Sequence, residues 1–131
     1  SNQKGTYGTE GTAASGNAPG ARSSAVIWTD AAGNFWLFGG YGYDSAGTLG
    51  QLSDLWEYSA GAWSWVDGPK IVNQNGMYGY QDTPAPSNVP GARQQFVGWT
   101  DKSGNLWLFG GYGNDSAEGG GYLNDLWKYE F

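Results

Sequence analysis

Apolar and polar positions alternate along this chain in short runs, separated by glycines and polar turns. Ala25-Val26-Ile27-Trp28-Thr29 is rich in β-branched and aromatic residues. It stops at Asp30-Ala31-Ala32-Gly33-Asn34, where Gly and Asn suit the positive φ of a tight hairpin. Phe35-Trp36-Leu37-Phe38 follows as a continuous apolar run, the pattern of a strand covered on both faces. Two glycines end it, where a Cβ would crowd a neighbouring backbone. Beyond a polar, Gly-rich loop, Asp54-Leu55-Trp56-Glu57-Tyr58 alternates like a half-exposed strand. A Ser59-Ala60-Gly61 turn leads into Trp63-Ser64-Trp65-Val66, which alternates again. No stretch has helical periodicity, and Gly every few residues opposes one. The pattern predicts an all-β fold with four antiparallel strands per unit.

The pattern occurs twice. Pro19-Gly20-Ala21-Arg22 returns as Pro90-Gly91-Ala92-Arg93, and sliding the chain by 71 positions keeps the copies in register without a gap. Trp28-Thr29-Asp30 matches Trp99-Thr100-Asp101, Trp36 to Gly42 matches Trp107 to Gly113, and Asp54-Leu55-Trp56 matches Asp125-Leu126-Trp127. Of the 59 pairs from position 2 to 60, 34 are identical, which marks a tandem duplication.

The hydrophobic run closed by a double glycine (Phe35 to Gly40), the strand ending in Tyr58, and then Trp63 resemble the kelch-repeat β-propellers. The second copy has the run Leu106 to Gly111 and Tyr129. The period of 71 exceeds the usual kelch spacing of about 50, the excess lying in loops. The resemblance implies blades of four strands with the first innermost at a central channel. Residues 22–71 then form one blade and 93–131 a second without its outermost strand, seven strands in all. Residues 72–92 form a long inter-blade loop, and 1–21 are its equivalent before the first blade. Propellers close with typically 4–8 blades, and a repeat cannot bury both faces alone. The ring is therefore expected to be completed by copies of the chain or by further sequence of a longer one, three copies giving six blades being the favoured closure. A non-closing version would make filaments.

In such a blade the tight connections Asp30–Asn34 and Ser59–Ala62 share one face of the ring. The long loops Tyr41–Gln51 and Asp67–Val89 share the other, and long loops on a rigid scaffold carry function. Tyr41, Tyr43, Asp44, Tyr78, Tyr80, Tyr112, Asn114 and Asp115 form the candidate ligand-binding set there, since Tyr and planar amides recognise sugars or protein surfaces. The alternative role of these residues is to pack the loops on one another. Asp44-Ser45-Ala46 and Asp115-Ser116-Ala117 could offer Ca²⁺ ligands. They lack EF-hand spacing, however, and an Asx-turn explains the Asp equally well, so no metal site is expected. Arg22 and Arg93 could hold an anionic ligand near the channel or pair with Asp54 and Asp125, and a buried guanidinium favours the pairing. Trp36, Trp56, Trp63, Trp65, Trp107 and Trp127 are expected in the inter-blade core, whereas Trp28 and Trp99 stand at strand ends.

Composition narrows the chemistry. The 131 residues contain no Cys and no His, which removes disulfides, thiolate nucleophiles, imidazole bases and the commonest transition-metal ligand. Galactose oxidase is a catalytic propeller of the kelch type. Its copper chemistry is not carried over, because copper sites of that kind need His. Asp44 and Asp82 could be nominated as a glycosidase pair, but nothing marks them so. No catalysis and no cofactor are expected. A net charge of −6 with Lys+Arg of only 6 makes nucleic acid and anionic membranes poor partners. No apolar run reaches the roughly 18 residues of a membrane span. Ser1-Asn2-Gln3-Lys4-Gly5 has no apolar signal core, so a targeting segment is expected to be absent or already removed. The lack of Cys suits an extracellular or periplasmic bacterial protein, the expected compartment, as well as a cytosolic one. Two functions are expected in turn: a non-catalytic module binding a glycan or protein on its long-loop face, or a structural ring or filament whose partner is its own copy.

Overall fold

In a computed structural model, which describes residues 1–117 and 119–131, the chain is all-β. Its first sheet contains β1 (Arg22–Ser23), β2 (Val26–Thr29), β3 (Phe35–Tyr43), β4 (Leu49–Ser59) and β5 (Ala62–Asp67). The second contains β6 (Arg93–Gln94), β7 (Val97–Thr100), β8 (Leu106–Asn114) and β9 (Gly120–Tyr129). All pairings are antiparallel. β1 and β2 both pair with β3, which pairs with β4 and β4 with β5; β6 and β7 both pair with β8, and β8 with β9. Among the described residues no helix is long and apolar enough to cross a membrane.

Nine strands stand where seven are expected, because the first strand of each unit is interrupted. Ser24 and Gln95 adopt φ of 56° and 57°, and this left-handed residue splits β1 from β2 and β6 from β7. The double glycine faces the interruption. Gly40 has φ 95°, and a Cβ there would lie 2.5 Å from the Ser23 carbonyl oxygen; the ladder with β4 shifts register between Phe38 and Gly40. The glycines thus form a bulge and do not end the strand, which continues to Tyr43. Tyr41 and Tyr43, expected in a loop, therefore lie on β3, and Tyr112 and Asn114 lie on β8. The first hairpin forms as expected: the Asp30 carboxylate accepts the Ala32 and Asn34 amides, with Gly33 at φ 86°.

The two sheets pack face to face. Trp28, Trp36, Phe38 and Leu55 of the first meet Phe96, Leu106 and Leu108 of the second. The Trp28 indole donates to the Trp107 carbonyl at 3.1 Å, and the Gln51 side-chain amide to the Tyr112 carbonyl at 3.2 Å. The approach is so close that a Cβ on Gly98 would lie 2.7 Å from the Trp28 indole nitrogen. Trp56 and Trp65 belong to a separate cluster on the opposite face of the first sheet, around Tyr7. Trp28 is thus core, and Trp107 lies half-buried on the outer face of the second sheet.

Candidate functional site

The most heavily bonded polar group occurs twice, at equivalent positions. In the first unit the Arg22 guanidinium grips Asp54 through two parallel bonds of 2.5 and 2.8 Å and donates to the Gly20 and Gly39 carbonyls. Asp54 also accepts the Tyr7 hydroxyl at 2.6 Å and the Trp56 indole at 2.8 Å. The second unit repeats the set with Arg93, Asp125, Tyr78 and Trp127, at 2.6 and 2.8 Å for the ion pair. Each tetrad ties the segment before a sheet to its innermost strand and its third strand. The pairing of Arg22 with Asp54 and Arg93 with Asp125 leaves neither guanidinium for an anionic ligand. Sequence reasoning placed the Arg–Asp pair but missed Tyr7 and Trp56. The signal was available in the repetition of Tyr7 as Tyr78, 71 positions on, within an otherwise divergent loop.

These bonds set the ionisation. Burial opposes the charge on Asp125, yet hydrogen bonds from Arg93, Tyr78 and Trp127 outweigh it and hold the carboxyl down at about 2. Burial first, and then the hydrogen bond to Asp125, push the Tyr78 phenol up to about 12. Tyr7 rises for the same reasons with Asp54 as its partner. A depressed acid stabilises the fold above its unfolded value of 3.8, and that stability is lost as pH falls toward about 2. A phenol held neutral stabilises the fold below its unfolded value of 10.0, and that stability is lost as pH rises through about 12. Urea midpoints measured against pH are therefore expected to form a plateau from about pH 4 to about pH 10, falling on both sides.

The long-loop end is built differently. Asp44 is buried, and its carboxylate accepts the amides of Ala46, Thr48 and Val72, an Asx-turn that holds the loop against the inter-sheet segment. Asp115 is exposed and accepts only the Ala117 amide. Tyr78 has its hydroxyl committed to Asp125. Tyr41 and Tyr112 are partly exposed, Tyr43 is half-buried, and Tyr80 stands in solvent. Asn114 donates to the Asn73 carbonyl at 2.8 Å and borders an open polar cleft with Gln74, Asn75, Gly119 and Gly120. Tyr112 meets Tyr122, its cross-strand partner, with ring centroids 5.3 Å apart. The eight candidates therefore do not converge. Asp44 and Tyr78 bear on scaffold bonds, while Tyr80, Asn114 and Asp115 offer polar groups at one end. Among the described residues no three acidic, His or Cys side chains come together as a metal site.

The two outer faces of the sheet pair are counterparts of the surfaces that meet inside it. Trp28, Phe38 and Leu55 are 5%, 3% and 6% exposed in the inter-sheet core. Trp99, Phe109 and Leu126, 71 positions on, are 44%, 43% and 55% exposed on the outer face of the second sheet. In the same way Leu106 and Leu108 are buried, whereas their counterpart Phe35 is exposed and Leu37 half-exposed on the outer face of the first. No protein-family model matches the chain, and no curated protein matches it.

Proposed function

We propose that the chain is a pair of kelch-type β-propeller blades without catalytic function, whose two outer faces each take a further blade of the same kind. The observation that carries this is the equivalence just described, since each outer face repeats the apolar residues of one side of the internal junction. The association is heterologous, the face bearing Trp99 against the face bearing Ile27, and closes into a ring when the rotation allows. Three copies supply six blades; further repeats in a longer chain supply the same faces in cis. The new junction differs in one respect. Ile27 stands where Gly98 accommodates Trp28, and Ala25 where Phe96 fills the core, so bulk has moved by two residues. Trp99 correspondingly lies flat on Trp107, with rings 6.1 Å apart and 3° from parallel.

Light scattering over a concentration series tests this proposal. A mass above 14.0 kDa that rises with concentration toward a whole multiple of it is expected, and 14.0 kDa at every concentration overturns the proposal for this chain. A second reading, binding of a glycan or protein at the long-loop end, is favoured by the exposed Tyr80 beside the Asn-lined cleft. Flat titrations against a glycan array and candidate protein partners remove it.

A further inference from the structure

β5 shows what the outer edge of a third strand can hold. It pairs with β4 through Trp56↔Trp65 and Tyr58↔Trp63, and the segment before the first sheet clamps it from the side. The Gly11 amide donates to the Trp65 carbonyl at 2.8 Å, and the Ala14 amide and Asn17 side-chain amide donate to the Trp63 carbonyl at 3.3 and 3.1 Å. In the second unit β9 pairs only with β8 among the described residues. The clamp beside it is nevertheless formed. Met77 bridges Val89 as Thr6 bridges Ala18, and the Asn88 amide donates to Ala85 as the Asn17 amide does to Ala14. Asp82 adopts the left-handed φ of 57° that matches Gly11 at 69°. Asn88 donates its side-chain amide to the Thr83 carbonyl, as Asn17 does to Thr12, but the second acceptor that Trp63 provides is missing. Asn88 and Val89 also line an apolar cleft with Trp127 and Tyr129, the counterparts of the Trp56 and Tyr58 that face Trp65 and Trp63.

We infer that the outer edge of β9, with the preformed clamp 82–88, is a docking site for an extended strand from a second polypeptide carrying two tryptophans two residues apart. It is the chemistry that Ala62–Asp67 offers to β4. Main-chain bonds along β9 supply affinity, and the two indoles seated toward Trp127 and Tyr129 supply specificity. The site lies on an edge, so it stands whether or not the outer faces associate.

The test is titration of a fluorescein-labelled peptide with the sequence of residues 60–69 into the whole chain, read by anisotropy and by amide shifts. Saturable binding is expected, with shifts centred on Asn88 and β9. A peptide with both tryptophans replaced by alanine is expected not to bind, and Asn88→Ala to weaken binding about fivefold through loss of one hydrogen bond. No saturation at about 1 mM peptide, or shifts centred on β4 because the peptide displaces β5, would overturn the assignment. So would shifts centred on the outer faces. Solution mass, read separately, reports on blade association and is not moved by failure of the peptide to bind.

Discussion

Replacing Asp54 with alanine is expected to lower the stability of the fold by about 3–5 kcal/mol, the largest effect of any polar substitution in this chain. The carboxylate is fully buried and neutralises the buried guanidinium of Arg22, so its removal leaves a charge that can neither be solvated nor give up its proton. The Tyr7 hydroxyl and Trp56 indole lose their acceptor at the same time. The double substitution Arg22→Met with Asp54→Leu is expected to recover only part of the loss. It removes the orphaned charge but leaves those two donors unmet. Asp125→Ala is expected to cost less, because Asp125 is 17% exposed and its sheet has an open edge. Urea denaturation at pH 7 reads all three. A loss for Asp54→Ala below about 1 kcal/mol would mean that the tetrad is not the pin described.

The second large effect is a contrast between two equivalent tryptophans. Trp28→Ala is expected to cost about 3–5 kcal/mol, because the ring is buried between the sheets and its indole bonds the Trp107 carbonyl. Trp99→Ala is expected to cost less than about 1 kcal/mol in dilute solution, since nothing covers the outer face of that ring in the single chain. As concentration rises and copies bind one another, the native chain gains stability from association. The Trp99→Ala penalty should then grow, while the Trp28→Ala penalty stays constant. Equal penalties at all concentrations would contradict the equivalence of the inner and outer faces.

The architecture was legible because the period of 71 aligns every strand with its copy, and because apolar runs punctuated by glycine allow few alternatives to antiparallel sheets. The hairpin at Asp30–Asn34 and the Arg–Asp pairs follow from residue types alone. What escaped was set by tertiary approach. Ser24 and Gln95 are ordinary polar residues in sequence, and only the bulge at the facing glycines turns them left-handed. That bulge lets β3 run on to Tyr43 instead of stopping at Gly40, which carries Tyr41 and Tyr43 out of the loop. Asp44 resembles a solvent-facing loop acid, yet the amide of Val72, 28 residues on, arrives to close a cage around it. Trp28 resembles a strand-end ring until Gly98, in the other copy, makes room for it.

The most direct test of the central claim blocks one outer face at a time. Trp99→Glu closes the outer face of the second sheet, and Ile27→Glu that of the first, each leaving the internal core untouched. Light scattering should find each variant alone at 14.0 kDa and an equimolar mixture at twice that mass, because only the two intact faces can meet. A mixture that remains at 14.0 kDa, or variants that associate alone as the native chain does, would show that the outer faces are not counterparts of the inner ones.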